Sequence, residues 1–163
     1  MIIERETTVT FTGHRTYDGS HNDAIRDAIR RYYHRGYRTF LTGMAAGFDL
    51  SAGECVVALK EELPELRLHC IIPFEGQRRS FRSTSGDQYD HLLRSADEVT
   101  TLAPRYDSMA YHRRNDFLVD NASAVIAWFD GSAGGTEYTI HRALAEGLDI
   151  ENLWHGLFAQ MQF

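Results

Sequence analysis

Three glycine-centred turns carry the residue types from which a phosphate site is built. They are Thr12-Gly13-His14-Arg15, Thr42-Gly43-Met44-Ala45-Ala46-Gly47-Phe48-Asp49, and Asp130-Gly131-Ser132-Ala133-Gly134-Gly135-Thr136. Glycine permits positive φ and lets a ligand come close to the main chain. A helix that starts at such a turn offers unpaired N–H groups and a partial positive charge, which suits a phosphate. Arg15 adds a guanidinium able to grip phosphate bidentately. Each feature also has a plainer reading. Gly43 and Gly47 serve either close packing or ligand approach. Asp49 is read first as a helix cap, and otherwise as an acid/base group or an acceptor for a ribose hydroxyl. Gly134-Gly135-Thr136 is either a phosphate cradle or a strand-to-helix turn capped by Thr136.

The elements that position these turns follow from hydrophobic periodicity. Thr8 to Thr12, Tyr37 to Thr42, Leu66 to Ile72, Glu98 to Leu102, Ala124 to Phe129 and a final stretch around Ile150 read as strands. Helical spacing separates them, as in Ile25, Ala28, Ile29 and Tyr32, with Asn22 as the expected cap and Gly36 as the stop. Cys55, Val56, Leu59 and Leu63 mark a second helix, a short helix is expected near residues 87–95, and Ile140, Ala143 and Leu144 mark the last. The polar stretch 74–86, with Arg78, Arg79 and Arg82, reads as a long loop, either solvated or a phosphate-gripping lid. Strands alternating with helices imply an α/β fold: a doubly wound, mostly parallel Rossmann-like sheet with helices on both faces, in one domain over residues 1–163. Ligands of such sheets bind beyond the carboxyl ends of the strands, where the glycine turns lie.

Composition narrows the function classes. The chain has 163 residues, 17 Lys+Arg against 23 Asp+Glu, and a net charge of −6. That balance, with no basic stripe interleaved with aromatics, counts against nucleic acid as a partner. No stretch approaches the roughly 20 apolar residues of a membrane span, and residues 1–6 do not read as a signal peptide, so a cytoplasmic protein is expected. Cys55 and Cys70 are isolated and read as reduced core thiols. The eight histidines show no metal-ligand spacing, and no metal or cofactor is expected. Gly43 to Gly47 lacks the Lys-Ser/Thr pair of a P-loop, and neither G-x-G-x-x-G nor G-x-S-x-G occurs. Trp128 and Phe129 are expected in the core or on the pocket floor. Trp154 and Phe158 are expected to cover core or to form a homodimer contact.

Taken together, Phe11-Thr12-Gly13-His14-Arg15, Leu41 to Asp49, Ile72-Pro73-Phe74, Asn115 with Asn121-Ala122, and Gly134-Gly135-Thr136 resemble the YpsA-like proteins of the SLOG superfamily of Rossmann-like domains. That superfamily includes the lonely-guy phosphoribohydrolases and the DNA-processing protein of natural transformation. The resemblance implies a pocket for a nucleotide or nucleotide-derived small molecule and no established reaction. The M-H-E-R-K segment of the lonely-guy enzymes is similar to Tyr111-His112-Arg113-Arg114-Asn115, which places Arg114 on their catalytic arginine. Their paired glutamates fall on Tyr138 and Thr139, with Glu137 one place early, a displacement of about 100° on a helix.

The expected ligand-binding set is therefore Gly13, Arg15, Gly43, Gly47, Asp49, Arg114, Gly134, Gly135 and Thr136, serving a sensor or regulatory domain. One alternative is a hydrolase cleaving an N-glycosidic or phosphoester bond with Glu137 or Asp49 as acid/base. Another is a nucleic-acid-handling module, since Gly43 to Asp49 resembles the G-x-A-x-G-x-D segment of the transformation protein.

Overall fold

The computed structural model describes residues 2–154. Along the chain run β1 (Thr8–Gly13), α1 (Asn22–His34), β2 (Thr39–Thr42), α2 (Phe48–Leu59), β3 (Arg67–Ile72), α3 (Ser83–Ser95), β4 (Glu98–Thr101), α4 (Ala110–Asp120), β5 (Ala124–Trp128), α5 (Gly135–Ala145) and β6 (Asp149–Asn152). The strands form one sheet in the order β4-β3-β2-β1-β5-β6, and every pairing is parallel. This is the doubly wound, Rossmann-like α/β domain that the alternating periodicity predicts.

Period-two alternation distributes the core between the two faces of the sheet. Val9, Phe11, Phe40, Leu68, Cys70, Ala124 and Ile126 meet the apolar faces of α1, α2 and α3 in one large cluster. On the opposite face Leu41 and Ile71 pack against Leu118 of α4, while Val125 and Ala127 pack with Ile140 and Ala143 of α5. Both cysteines are buried and unbridged, and burial pushes the Cys55 thiol up to about 11. No helix among the described residues is long and apolar enough to cross a membrane.

The winding reverses between β1 and β5. The chain leaves β1 for α1 on one face and leaves β5 for α5 on the other, so the two outgoing turns part and open a crevice at the strand C-termini.

Several local expectations are corrected. Asn22 lies inside α1 and makes no capping bond; its Oδ1 accepts from the Tyr17 hydroxyl at 2.7 Å instead. The polar stretch 74–86 is not one long loop, because Gln77–Ser80 forms a 3-10 turn and α3 already begins at Ser83. Arg78 explains much of that order, since its guanidinium grips the Asp90 carboxylate through two bonds of 2.9 and 3.1 Å. Trp128 packs against the main core beside Tyr17, and Phe129 is buried in the α5-side core. Trp154 is half-buried, and Phe158 lies outside the described residues.

Candidate functional site

A cavity of about 340 Å³ occupies the crevice between the β1 and β5 turns. The β1 end contributes Thr12, Gly13, His14 and Arg15, and the β5 end contributes Ala133, Gly134, Gly135 and Thr136. Asp130 joins the two turns, its backbone N–H donating to His14 Nε2 at 3.0 Å. The back wall is one face of α4. Tyr111, Arg114, Asn115 and Leu118 fall at i, i+3, i+4 and i+7, and all four line the cavity.

The glycines have distinct tasks. A Cβ on Gly13 would sit 2.4 Å from the Phe48 ring, so its absence lets α2 dock under the turn. One on Gly43 would meet Arg114 Cδ at 2.7 Å and Asp49 Oδ2 at 3.1 Å. Gly47 has φ +80°, and a Cβ there would strike the Arg15 carbonyl at 2.4 Å. Gly43 and Gly47 do not line the cavity; of their two readings, close packing is the one the geometry supports. Gly134 and Gly135 differ. Gly134, at φ +142°, has nothing within 4 Å of its missing Cβ, and Gly135 meets only Asn115 Nδ2 at 3.5 Å. These two glycines hold open space at the start of α5, where no side chain caps the helix. Thr136, read as a cap, instead lies buried in the first turn behind the cap residue Gly134.

Charge in the cavity is unbalanced toward positive. Arg114 is 7 % exposed; its Nη1 donates to the Gly43 carbonyl at 2.9 Å and its Nε to Asn115 Oδ1 at 3.1 Å. Arg15 is exposed and stands 5.5 Å from the Tyr111 ring centroid, while Arg114 stands 5.3 Å from it. Neither arginine forms an ion pair with a carboxylate among the described residues. Arg113, one position away, faces outward and pairs with Asp107 at 3.1 Å.

Asp49 is the one acid among the lining residues and is 5 % exposed. It is not a cap: the cap residue of α2 is Gly47, and Asp49 Oδ2 accepts from the Ala45 N–H at 3.3 Å. Its Oδ1 is buried with no partner among the described residues. Burial pushes the carboxyl up to about 6, against the opposing pull of Arg114. A carboxyl titrating there can accept a ligand hydroxyl or move a proton near neutral pH. Glu137, the other acid/base candidate, is half-buried in the first turn of α5 and does not line the cavity. Tyr138 and Thr139 turn away as well, to Asp116 Oδ1 and the Gly135 carbonyl.

Comparison with known proteins gives a family and a fold. The profile of the YspA SLOG family matches residues 19–151. A UPF0398 protein of Bacillus velezensis is 28% identical over 123 residues, 74% of this chain and 68% of that protein. The UPF0398 protein YpsA of Bacillus subtilis is 27% identical over 115 residues, covering 69% of this chain and 64% of its own length, so the match spans under two thirds of that relative. Among solved structures, DNA processing protein A of Streptococcus pneumoniae superposes with a TM-score of 0.66 at 16% identity, over 92% of this chain and 51% of that one. DNA processing protein A of Helicobacter pylori, solved for its single-stranded DNA binding mode, gives 0.64 at 14% identity, over 94% of this chain and 70% of that one.

The last likeness corrects one expectation. Net charge counts against nucleic acid, yet this fold's neighbours include a protein that binds single-stranded DNA. Net charge is a property of the whole surface, and a local site escapes it. The missing stripe excludes nothing for the same reason. Arg15, Tyr111 and Arg114 meet in space, with Phe74 and Tyr106 packed beside Tyr111, from four separate segments of the chain.

Proposed function

The chain belongs to the YspA SLOG family, and from that premise we propose that its switch-point cavity binds the phosphate of a nucleotide or nucleotide-derived small molecule. One observation carries the reading. The uncapped start of α5, opened by Gly134 and Gly135, faces the same cavity as Arg15 and Arg114. Backbone donors, a helix dipole and two cations without an ion-pair partner among the described residues converge on a space large enough for a small ligand. On this reading Asp49, which lines the cavity and has an unpaired Oδ1 among the described residues, serves as the acceptor for a ribose hydroxyl.

A ligand at a hundred times its dissociation constant stabilises the folded state by about 2.7 kcal/mol. For a domain of this size that raises the melting temperature by about 5–10 °C. A thermal-shift panel of millimolar mononucleotides, dinucleotides and ADP-ribose is expected to contain at least one compound with that effect. A flat panel removes the reading.

Gly135→Val is expected to abolish this shift in a protein that still folds. The added Cβ finds only ordinary contact with Asn115 Nδ2, so the backbone accepts it, while the branched methyls occupy the space before the helix N–H groups. Circular dichroism checks the fold. Retained affinity in a folded Gly135→Val protein places the ligand elsewhere.

A second reading is favoured by the single-stranded DNA binding of the Helicobacter pylori neighbour: the same phosphate site takes one nucleotide of a strand. Fluorescence anisotropy with a labelled single-stranded oligonucleotide, repeated over a salt series, tests it. On this reading binding weakens with salt in proportion to the phosphates contacted, and a mononucleotide competes.

A further inference from the structure

We propose that a smaller cavity beside the phosphate site is a nucleobase subsite, in which Gln77 Oε1 accepts a hydrogen bond from an N–H on the edge of the base. The proposal rests on the reading of the larger cavity as a phosphate site. The smaller cavity measures about 140 Å³ and shares Arg15, Ala45 and Tyr111 with the larger one. Its own walls are Ala46, Gln77, Ser80 and Phe81. A cavity of about 150 Å³ takes up one benzene molecule, so this one accommodates one aromatic ring. Tyr111 and Phe81 are the aromatic residues of its lining, the residue type on which a base stacks.

Gln77 supplies the polar test. It is 2 % exposed, and its Nε2 donates to the Met44 carbonyl at 3.3 Å. That bond determines which way the amide points, because the reverse orientation would set two acceptors against each other. Met44 is held in the left-handed region at φ 62°, a conformation uncommon for a side chain of its size, in the turn that presents its carbonyl to Gln77. The Ser80 hydroxyl donates to the Gln77 carbonyl at 2.7 Å and holds the 3-10 turn closed. Gln77 Oε1 is left buried with no partner among the described residues. Buried polar groups are nearly always paired, so an acceptor left over on a residue that lines the cavity, just beneath its surface, points to a donor supplied by the ligand once the amide turns toward it. Every nucleobase carries at least one N–H that can serve. A ribose hydroxyl offers the same chemistry, and the experiment separates the two.

Isothermal titration of the full chain with ribose 5-phosphate, AMP and CMP gives the primary readout. The wild-type protein is expected to bind at least one of the two mononucleotides about tenfold more tightly than ribose 5-phosphate, from stacking and one hydrogen bond together. Gln77→Leu keeps the side-chain size without the acceptor, and should narrow that gap to about threefold while leaving ribose 5-phosphate unchanged. A readout without any substitution uses the wild-type protein and the N,N-dimethyl derivative of the preferred mononucleotide, whose exocyclic amine has lost its N–H groups. It is expected to bind about fivefold or more weakly than its parent. A gap that survives in folded Gln77→Leu, or a dimethylated ligand that binds as well as its parent, overturns the subsite. Equal weakening of ribose 5-phosphate by Gln77→Leu overturns it too, by giving the acceptor to the sugar. Should none of the three compounds bind the wild-type protein, the phosphate reading itself fails and this proposal with it.

Discussion

Arg114→Ala is expected to weaken binding of a phosphate-bearing nucleotide by about ten- to a hundredfold, whereas Arg113→Ala changes it less than about twofold. The two residues are adjacent on α4 and identical in chemistry, so the contrast isolates position. Successive helical residues diverge by about 100°. Arg114 is buried in the wall of the larger cavity with Nη1 on the Gly43 carbonyl and Nε on Asn115. Those bonds leave its Nη2 without a hydrogen-bond partner among the described residues. Arg113 spends its charge on Asp107 at the surface. A charge-assisted hydrogen bond is worth about 1.5–3 kcal/mol, which sets the size of the loss. Arg114→Lys keeps the charge and loses the planar fork, and belongs between the two alanine variants. Titration of a nucleotide identified in the thermal-shift panel measures all three, with circular dichroism as the check on folding. Equal losses at 113 and 114, in folded proteins, place the phosphate outside this cavity.

The sheet and its strand-to-helix turns were legible because they rest on local signals. Period-two alternation in Val9 and Phe11, i, i+3, i+4 spacing in α1, and Gly36 as a stop each declare one element without help from the rest of the chain. The back wall of the site is also written locally, in Tyr111, Arg114, Asn115 and Leu118 at helical spacing, although the expected ligand set takes only Arg114 from it. What sequence could not supply was the meaning of each glycine. Gly13, Gly43 and Gly47 look like Gly134 and Gly135 on paper, but Phe48, Arg114 and the Arg15 carbonyl fill the space beside the first three. Gln77 was hidden for a similar reason. In sequence it is one polar residue in a polar stretch, and only tertiary packing buries it and leaves its oxygen without a partner among the described residues. The nucleic-acid expectation failed at the same level, because it rested on whole-chain charge and linear spacing, and the meeting of residues 15, 74, 106, 111 and 114 in space has no linear signature.

Asp49 offers a test of the site that needs no ligand. Its carboxyl sits at about 6 in the folded protein against an ordinary value of 3.8, raised chiefly by burial. A raised acid binds its proton more tightly in the folded state than in the unfolded one. Its contribution to stability is therefore complete below about pH 4, where both states are protonated, and is lost as pH rises through about 6. The total is about 3 kcal/mol at 1.36 kcal/mol per unit, and about 2 kcal/mol of it falls between pH 4.5 and 7.5. The amide introduced by Asp49→Asn does not titrate, so the melting temperature of that variant minus that of the wild-type protein should climb by about 4–8 °C across that interval. Histidines and surface carboxylates titrate in both proteins and cancel in the difference. The attraction of the Asp49 charge to Arg114 appears only as the carboxyl ionises and is already counted in that value of about 6, so it adds no separate term to the slope. The slope is thus the readout and the offset is not. A difference that stays constant from pH 4.5 to 7.5 means that Asp49 is ionised and solvated like any surface carboxylate. It then could not be the desolvated acceptor that a ribose hydroxyl would find in this cavity.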